Sequence, residues 1–282
     1  MDTLQTNSKT IPRTQSDSRP DLGSSTRAVH AGAKRPYASH SISTPIIQAA
    51  TYTFNDTADL SQFMENRMWG REHERSEYGR YGNPTVRETE ARLAALDGAG
   101  DALLFASGMA AITTVLLAVL PTGAHVIMTD DCYRRTRQFC QQFLKRLGIG
   151  CTLTPAGDYN ALEAAIQPNT RLLISESPTN PYLRVLDLER LVEIGRQHRL
   201  KTLVDATFAT PLNCRPLEWG VDLVVHSATK YLGGHNDLLA GVVTGEAGLI
   251  HALRDTLGVM GAVSDPHNAY LLTRGLKTLG LR

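Results

Sequence analysis

The sequence predicts an α/β fold of three layers, with a mostly parallel central sheet covered by helices on both faces. Three observations carry this. From Pro84 onward, strand-like and helix-like stretches alternate. The strands are short unbroken apolar runs, the pattern of strands buried on both sides. The chain has 282 residues, 42% apolar and 20% charged, which suits a folded chain and excludes a disordered or fibrous one. At about 150 residues per domain, that length allows two domains or one large α/β domain.

Taken in order, residues 1 to 27 are polar and unpatterned and are expected to form a disordered leader. Asp2, Asp17 and Asp21 argue against an acid-poor transit peptide. Residues 28 to 84 read as an extended arm, with a dense mixed-charge stretch from Glu65 to Arg80 that resembles a solvated loop. Residues 85 to 282 read as the large domain. Its first helix, Thr85 to Leu96, has apolar Val86, Leu93 and Leu96 at helical spacing and stops at Gly98. Strands are then expected at Ala102–Ala106, His125–Met128, Thr152–Thr154, Leu172–Ser175, Thr202–Val204, Leu223–His226 and Gly241–Thr244. Helices are expected between them at Gly108–Leu120, Tyr133–Leu147, Tyr159–Gln167 and Leu188–His198, with further helical stretches after Leu249.

Composition removes several functions. With 29 basic and 28 acidic residues the net charge is +1, too small to draw nucleic acid or an acidic membrane. Aromatics at 6% do not suit an RNA binder that works by stacking. Cys132, Cys140, Cys151 and Cys214 form no C-x-x-C pair and follow no secretory signal, so a disulfide scaffold and a structural zinc site are not expected. A reduced, cytoplasmic protein is. Ala102 to Pro121 is uncharged over twenty positions, long enough to cross a bilayer, but reads better as a buried strand plus a buried helix stopped by Pro121. The P-loop, the G-x-G-x-x-G fingerprint, H-E-x-x-H and the G-x-S-x-G elbow are all missing.

What remains is a set of residues at strand ends. Lys230 is one of six lysines, and it alone follows an apolar strand, between Ser227-Ala-Thr229 and Tyr231-Leu-Gly-Gly234. Partial desolvation there would free the amine to form a Schiff base, although an ordinary surface lysine fits the position as well. Asp205 ends the strand Thr202-Leu-Val. Buried, it needs a partner: a helix cap, an ion pair, or the protonated nitrogen of a pyridine ring. Ser107-Gly108-Met109 precedes a helix whose N-terminal N–H groups could hold a phosphate, or is a tight turn. Tyr133 could stack on a flat cofactor or be plain core. Asn180 could cap a turn or bond a phenolate oxygen. Together they fall at the carboxyl ends of separate strands, the usual ligand crevice of an open α/β sheet.

Six blocks in this order resemble a known family: Glu77-Tyr-Gly-Arg-Tyr-Gly-Asn-Pro-Thr85, Ala106-Ser-Gly-Met109, Asp131-Cys-Tyr-Arg-Arg-Thr-Arg137, Glu176-Ser-Pro-Thr-Asn-Pro181, Val204-Asp-Ala-Thr-Phe208 and His226-Ser-Ala-Thr-Lys-Tyr-Leu-Gly-Gly-His-Asn-Asp237. Leu272-Thr-Arg-Gly-Leu-Lys-Thr278 fits too. On these stretches, from about Thr26 onward, the sequence is similar to the Cys/Met-metabolism enzymes that depend on pyridoxal 5'-phosphate (PLP), a branch of the aspartate-aminotransferase fold type I. The Cys132–Arg137 wording, with Arg134 and Arg135 where many relatives carry small residues, is most similar to the plant form of the cystathionine γ-synthase branch.

The resemblance implies a large PLP-binding domain and a set of roles. Lys230 would hold PLP and shuttle protons. Asp205 would pair with the ring nitrogen, Tyr133 would stack on the ring, and Gly108, Met109, Ser227 and Thr229 would bind the phosphate. Asn180 would contact the phenolate or the substrate, with Thr207 behind them. Tyr78 and Arg80 would reach the phosphate in a neighbouring subunit, making the active unit a homo-oligomer, at least a dimer and expected as a tetramer. The implied reaction is γ-replacement in transsulfuration and methionine biosynthesis: cysteine and an O-activated homoserine give cystathionine. Another family activity, such as a cystathionine or methionine γ-lyase, stays open. Family members continue into a C-terminal α/β domain whose arginine clamps the substrate α-carboxylate. This sequence stops before it, so a non-catalytic remnant that binds PLP or a partner chain is the third reading.

Overall fold

The unbroken apolar runs become strands with both faces covered. The computed structural model describes residues 22–69 and 75–282. Its sheet comprises β1 (Asp101–Phe105), β2 (His125–Thr129), β3 (Gly150–Thr154), β4 (Thr170–Glu176), β5 (Lys201–Asp205), β6 (Leu223–His226) and β7 (Gly241–Gly245), in the order β1-β7-β6-β5-β4-β2-β3. The pairs β3–β2, β2–β4, β4–β5 and β5–β6 are parallel; β7 runs antiparallel to both of its neighbours. Apart from β7, every strand therefore delivers its carboxyl end to one edge of the sheet, and β7 brings its amino end, Gly241, to that same edge.

Side chains alternate across the strands and fill two separate interiors. Leu103, Phe105, Met128, Ile174, Leu203 and Val225 face one layer. That layer comprises α4 (Gly108–Val119), α10 (Ala247–Met260) and the run α5 (Arg134–Gln138), a π turn over Phe139–Phe143, and α6 (Leu144–Arg146). The other face splits in two. Ala102, Leu104 and Val242 pack against α3 (Pro84–Asp97), α11 (Pro266–Leu276) and Ala28 of α1 (Ser24–His30). Ile127, Leu173, Val204 and Val224 pack mainly against α8 (Leu188–Gln197), beside α7 (Tyr159–Ala164). Each fully buried leucine or isoleucine in these layers contributes about 1.5–3 kcal/mol. The remaining helices are α2 (Thr57–Met68) and α9 (Thr210–Asn213). The uncharged run at 102–121 resolves into β1, a turn and α4, and among the described residues no helix is long and apolar enough to cross a membrane.

Several details bear on the sequence expectation. Most of the expected leader, residues 1–21, lies outside the described residues, as do 70–74 in the mixed-charge stretch. The leader's last residues are ordered in α1, because Ala28 is buried beside Leu93 and Leu96. The arm is not extended throughout, since Asp56 caps α2, its carboxylate accepting the Asp59 N–H at 2.8 Å. The arm is also fastened to α3 by a buried polar set: Tyr37 and Thr44 hydroxyls and Arg92 all donate to Glu88, and Arg92 reaches the Ala31 carbonyl at 3.0 Å. Finally, β4 and β5 run one residue further than expected and end on acids, Glu176 and Asp205, which sit side by side in register.

Candidate active site

The sheet edge gathers its groups from five connections. The first is the turn from β1 into α4. The Ser107 hydroxyl caps α4 by accepting the Ala110 N–H at 3.1 Å, which leaves the Gly108 and Met109 N–H groups without intrahelical partners. A Cβ on Gly108 would lie 2.8 Å from the Ser227 Cβ, so the helix start and the β6 connection touch only because this residue is glycine. Gly241 is needed for the same reason, since a side chain there would overlap the Ser107 carbonyl. The arrangement is a nest of backbone donors beside the Ser227 hydroxyl, suited to an anion.

The second group is Asp205. Its Oδ1 accepts two bonds from Thr207, from the hydroxyl at 2.5 Å and from the N–H at 3.0 Å. The Thr207 hydroxyl in turn accepts the Ser227 N–H at 2.8 Å, tying the acid to the nest. Burial raises the Asp205 pKa above its usual range, while the Thr207 bonds and the nearby His226 pull against that rise. His226 lies on the opposite face, its Nε2 3.1 Å from the buried Asp97, which also accepts from Thr244 at 2.8 Å. Burial works against a charged His226, but Asp97, Asp205 and the Ala206 backbone together raise its pKa.

Tyr133 follows β2 and is 43% exposed, so it is a surface ring at the edge rather than core. Its backbone N–H donates to Glu176 Oε2 at 2.6 Å. Asn180 is exposed in the connection after β4. Lys230 is exposed in the connection after β6, in a helical turn closed by Lys230 N–H to the Ser227 carbonyl at 3.0 Å and Gly234 N–H to the Lys230 carbonyl at 2.8 Å. The Arg282 guanidinium holds that turn through the Tyr231 and Gly275 carbonyls, at 2.6 and 2.7 Å. The Lys230 amine makes no hydrogen bond or ion pair with the described residues.

Three of the expected residues make contacts of their own away from these groups. The Thr229 hydroxyl donates to the Ala240 carbonyl at 3.2 Å and accepts the Ala240 N–H at 3.0 Å, and its own N–H goes to the same carbonyl. Its donors are thus committed to fastening β7 to the Lys230 turn. Tyr78 and Arg80 are held on the arm, with Arg80 stacked against Tyr78 and Tyr81 and bonded to the Gly258 carbonyl of α10. None of these contacts reaches Asp205, Tyr133, Gly108 or Lys230. Glu176 is the residue that sequence reasoning left without a role. It is buried, and its carboxyl is pushed up to about 8 by burial, then by Asp205 and Asp131, against backbone N–H bonds from Tyr133 and Asn180. Its only signal in the sequence is an acid ending an apolar strand, the same signal that drew attention to Asp205.

The fold alone places the chain in a broad class. It superposes on the crystal structure of metB from Corynebacterium glutamicum with a TM-score of 0.85 at 34% identity, covering 93% of this chain and 65% of that one. This is the α/β architecture of the fold type I PLP enzymes. Within that class, the chain belongs to the Cys/Met metabolism PLP-dependent enzyme family, whose pattern matches residues 25–282. It is 45% identical over 258 residues to cystathionine gamma-synthase 1, chloroplastic, of Nicotiana tabacum, covering 90% of this chain and 47% of that one. It is 40% identical over 262 residues to L-methionine gamma-lyase of Pseudomonas putida, covering 92% and 65%. The chain therefore spans about half the length of the tobacco relative. The family depends on PLP, and the residues here fit that group: a nest with no room for a Cβ at Gly108, a carboxylate with one oxygen already fixed, and an unpartnered amine.

Proposed function

We propose that this chain is the PLP-binding part of an enzyme that carries out γ-replacement, joining cysteine to an O-activated homoserine to give cystathionine. The support is the tobacco synthase relative at 45% identity, taken with a nest and a Thr207-fixed Asp205 held apart on one rigid edge. That edge is the observation that carries the reading. Asp205 would hold the ring nitrogen's proton, the Gly108 and Met109 N–H groups with the Ser227 hydroxyl would hold the phosphate, and Tyr133 would cover the ring. Asn180 would meet the phenolate side. Bound PLP supplies the electron sink that makes a substrate Cα proton acidic.

Lys230 does the proton work in this reading. Its amine takes the Cα proton and then a Cβ proton, and returns them after cysteine has added. In the net reaction the Cγ–O bond breaks, a Cγ–S bond forms, and the thiol proton leaves with the displaced acid. Tyr78 and Arg80, held on the arm away from their own chain's site, would serve a second copy, so the working unit is at least a dimer and, by our reading, a tetramer. A cytoplasmic location goes with the reading; because the tobacco relative's name specifies the chloroplast, cell fractionation decides that point.

Absorbance of the purified chain with added PLP tests the assignment. A band near about 420 nm that collapses on borohydride reduction, with the pyridoxyl group mapped to Lys230, is expected. No band, or label spread over several lysines, rules it out. Elimination is the second reading, favoured by 40% identity to the methionine γ-lyase. Product analysis separates the two: cystathionine for replacement, a 2-oxo acid and ammonia for elimination. Binding without either product would make the chain a non-catalytic remnant.

A further inference from the structure

Glu176 is 5% exposed, and among the described residues no Lys, Arg or His lies within ion-pairing distance of it. A buried carboxyl without a cation is costly, so its placement needs a reason. Its partners supply one. The Tyr133 N–H reaches Oε2 at 2.6 Å, and the Asn180 backbone N–H lies near the same carboxyl and favours its charged form. These two segments leave different strands, β2 and β4, and carry the ring-covering tyrosine and the phenolate-side amide. No other described hydrogen bond ties them together.

We propose that Glu176 is a positioning residue for the cofactor, a buried carboxyl that clamps the Tyr133 and Asn180 segments to one point so that both close on the ring together. The inference rests on the PLP reading above. The acidic groups around Glu176 are Asp205, in register on β5, and Asp131 after β2; Cys132 and Tyr133 on the β2 connection are the other titratable neighbours. Burial and the two acids favour the protonated form of Glu176, with a pKa of about 8. In that form it accepts backbone N–H bonds through its carbonyl oxygen.

A double-mutant cycle on PLP affinity tests this. The dissociation constant for PLP is measured by fluorescence titration for the unsubstituted chain, Glu176→Ala, Glu176→Gln, Tyr133→Ala and the Glu176→Ala/Tyr133→Ala double variant. Glu176→Ala is expected to weaken binding about tenfold, whereas Glu176→Gln, uncharged and still an acceptor, stays within about threefold. In the Tyr133→Ala background the Glu176→Ala loss shrinks to about threefold or less, because the two residues act as one unit. Equal losses in both backgrounds, or a glutamine variant as weak as the alanine variant, overturn the proposal. If Glu176→Ala does not fold, Glu176→Asp, which withdraws the carboxyl by one methylene, takes its place in the cycle. No saturable PLP binding by the unsubstituted chain removes the functional reading itself; binding by that chain with no loss in Glu176→Ala removes only this inference.

Discussion

The two ends of the candidate site are built on opposite principles. The nest end, around Gly108, Ser227 and Gly241, is backbone packed against backbone, and its shape follows from missing side chains. The acid end, around Glu176 and Asp205, consists of one buried and one half-buried carboxyl with hydrogen bonds but, among the described residues, no cationic side chain at ion-pairing distance, and its charge follows from where the protons sit. Steric closure is complete before any ligand arrives. Electrostatic closure is not, since two adjacent buried acids cannot both ionise without a large penalty. One end is therefore a fixed socket, and the other is a site whose charge is settled by what binds.

The largest effect should come from the acid end. Asp205→Ala removes the carboxylate that would pair with the ring nitrogen, and PLP affinity is expected to fall about 100-fold, readable by the same titration. Asp205→Asn, which keeps the shape, should bind better than alanine but worse than the parent. Comparable affinity in all three would dissolve the distinction between the ends.

Gly108→Ala probes the nest. The new Cβ meets Ser227 at 2.8 Å, so the helix start must move, at a stability cost of about 1–3 kcal/mol. The sharper readout is the ratio of the dissociation constants for pyridoxal and PLP. It should fall about tenfold toward unity, because only the phosphate-bearing ligand uses the nest. An unchanged ratio would place the phosphate elsewhere.

The acid end also predicts a pH-dependent stability. The Glu176 pKa is raised on folding from 4.5 to about 8, so the folded chain holds this proton where the unfolded chain has lost it. Its contribution is complete below about 4.5 and is lost as the pH climbs through about 8. Between those limits, denaturant unfolding of the apo chain should show stability falling by up to about 1.4 kcal/mol per pH unit from this group. Glu176→Gln should flatten the slope; an equally steep slope in that variant would assign it to another group.

Thr229→Val should give the smallest effect. The lost hydroxyl bonds to Ala240 are expected to cost about 1–2 kcal/mol of stability, with PLP affinity changed less than about threefold. A loss of affinity as large as that of Gly108→Ala would return this hydroxyl to the phosphate.

Much of this was legible in the sequence, and for physical reasons. Apolar runs of strand length report burial on both faces, and Lys230, Asp205 and Gly108 stand out because an amine, an acid and a glycine at strand ends each violate a local preference. What stayed hidden depends on contacts distant in sequence. The reversed direction of β7 is invisible, since side-chain alternation carries no sign. Glu176 fell just past the expected strand Leu172–Ser175, and only its register with Asp205 and the arrival of Tyr133 from β2 give it a role. The helix at Ser24–His30 was lost among polar residues because one alanine, Ala28, is enough to dock it. The commitment of Thr229 to Ala240 needed the β7 hairpin to be closed first.

Thr207 has a consequence of a different kind. Its hydroxyl owns a single proton, which goes to Asp205, so towards the Ser227 N–H it can only accept. The bonds run one way, from the nest to the acid, and the hydroxyl serves as a gauge block between the two. In the proposed function it would fix the span between a seat for an anion and a seat for a protonated nitrogen. A ligand would thereby be measured end to end as well as recognised at each end. Lengthening the link between ring and phosphate by one bond would leave every chemical group intact and still fail to seat both at once.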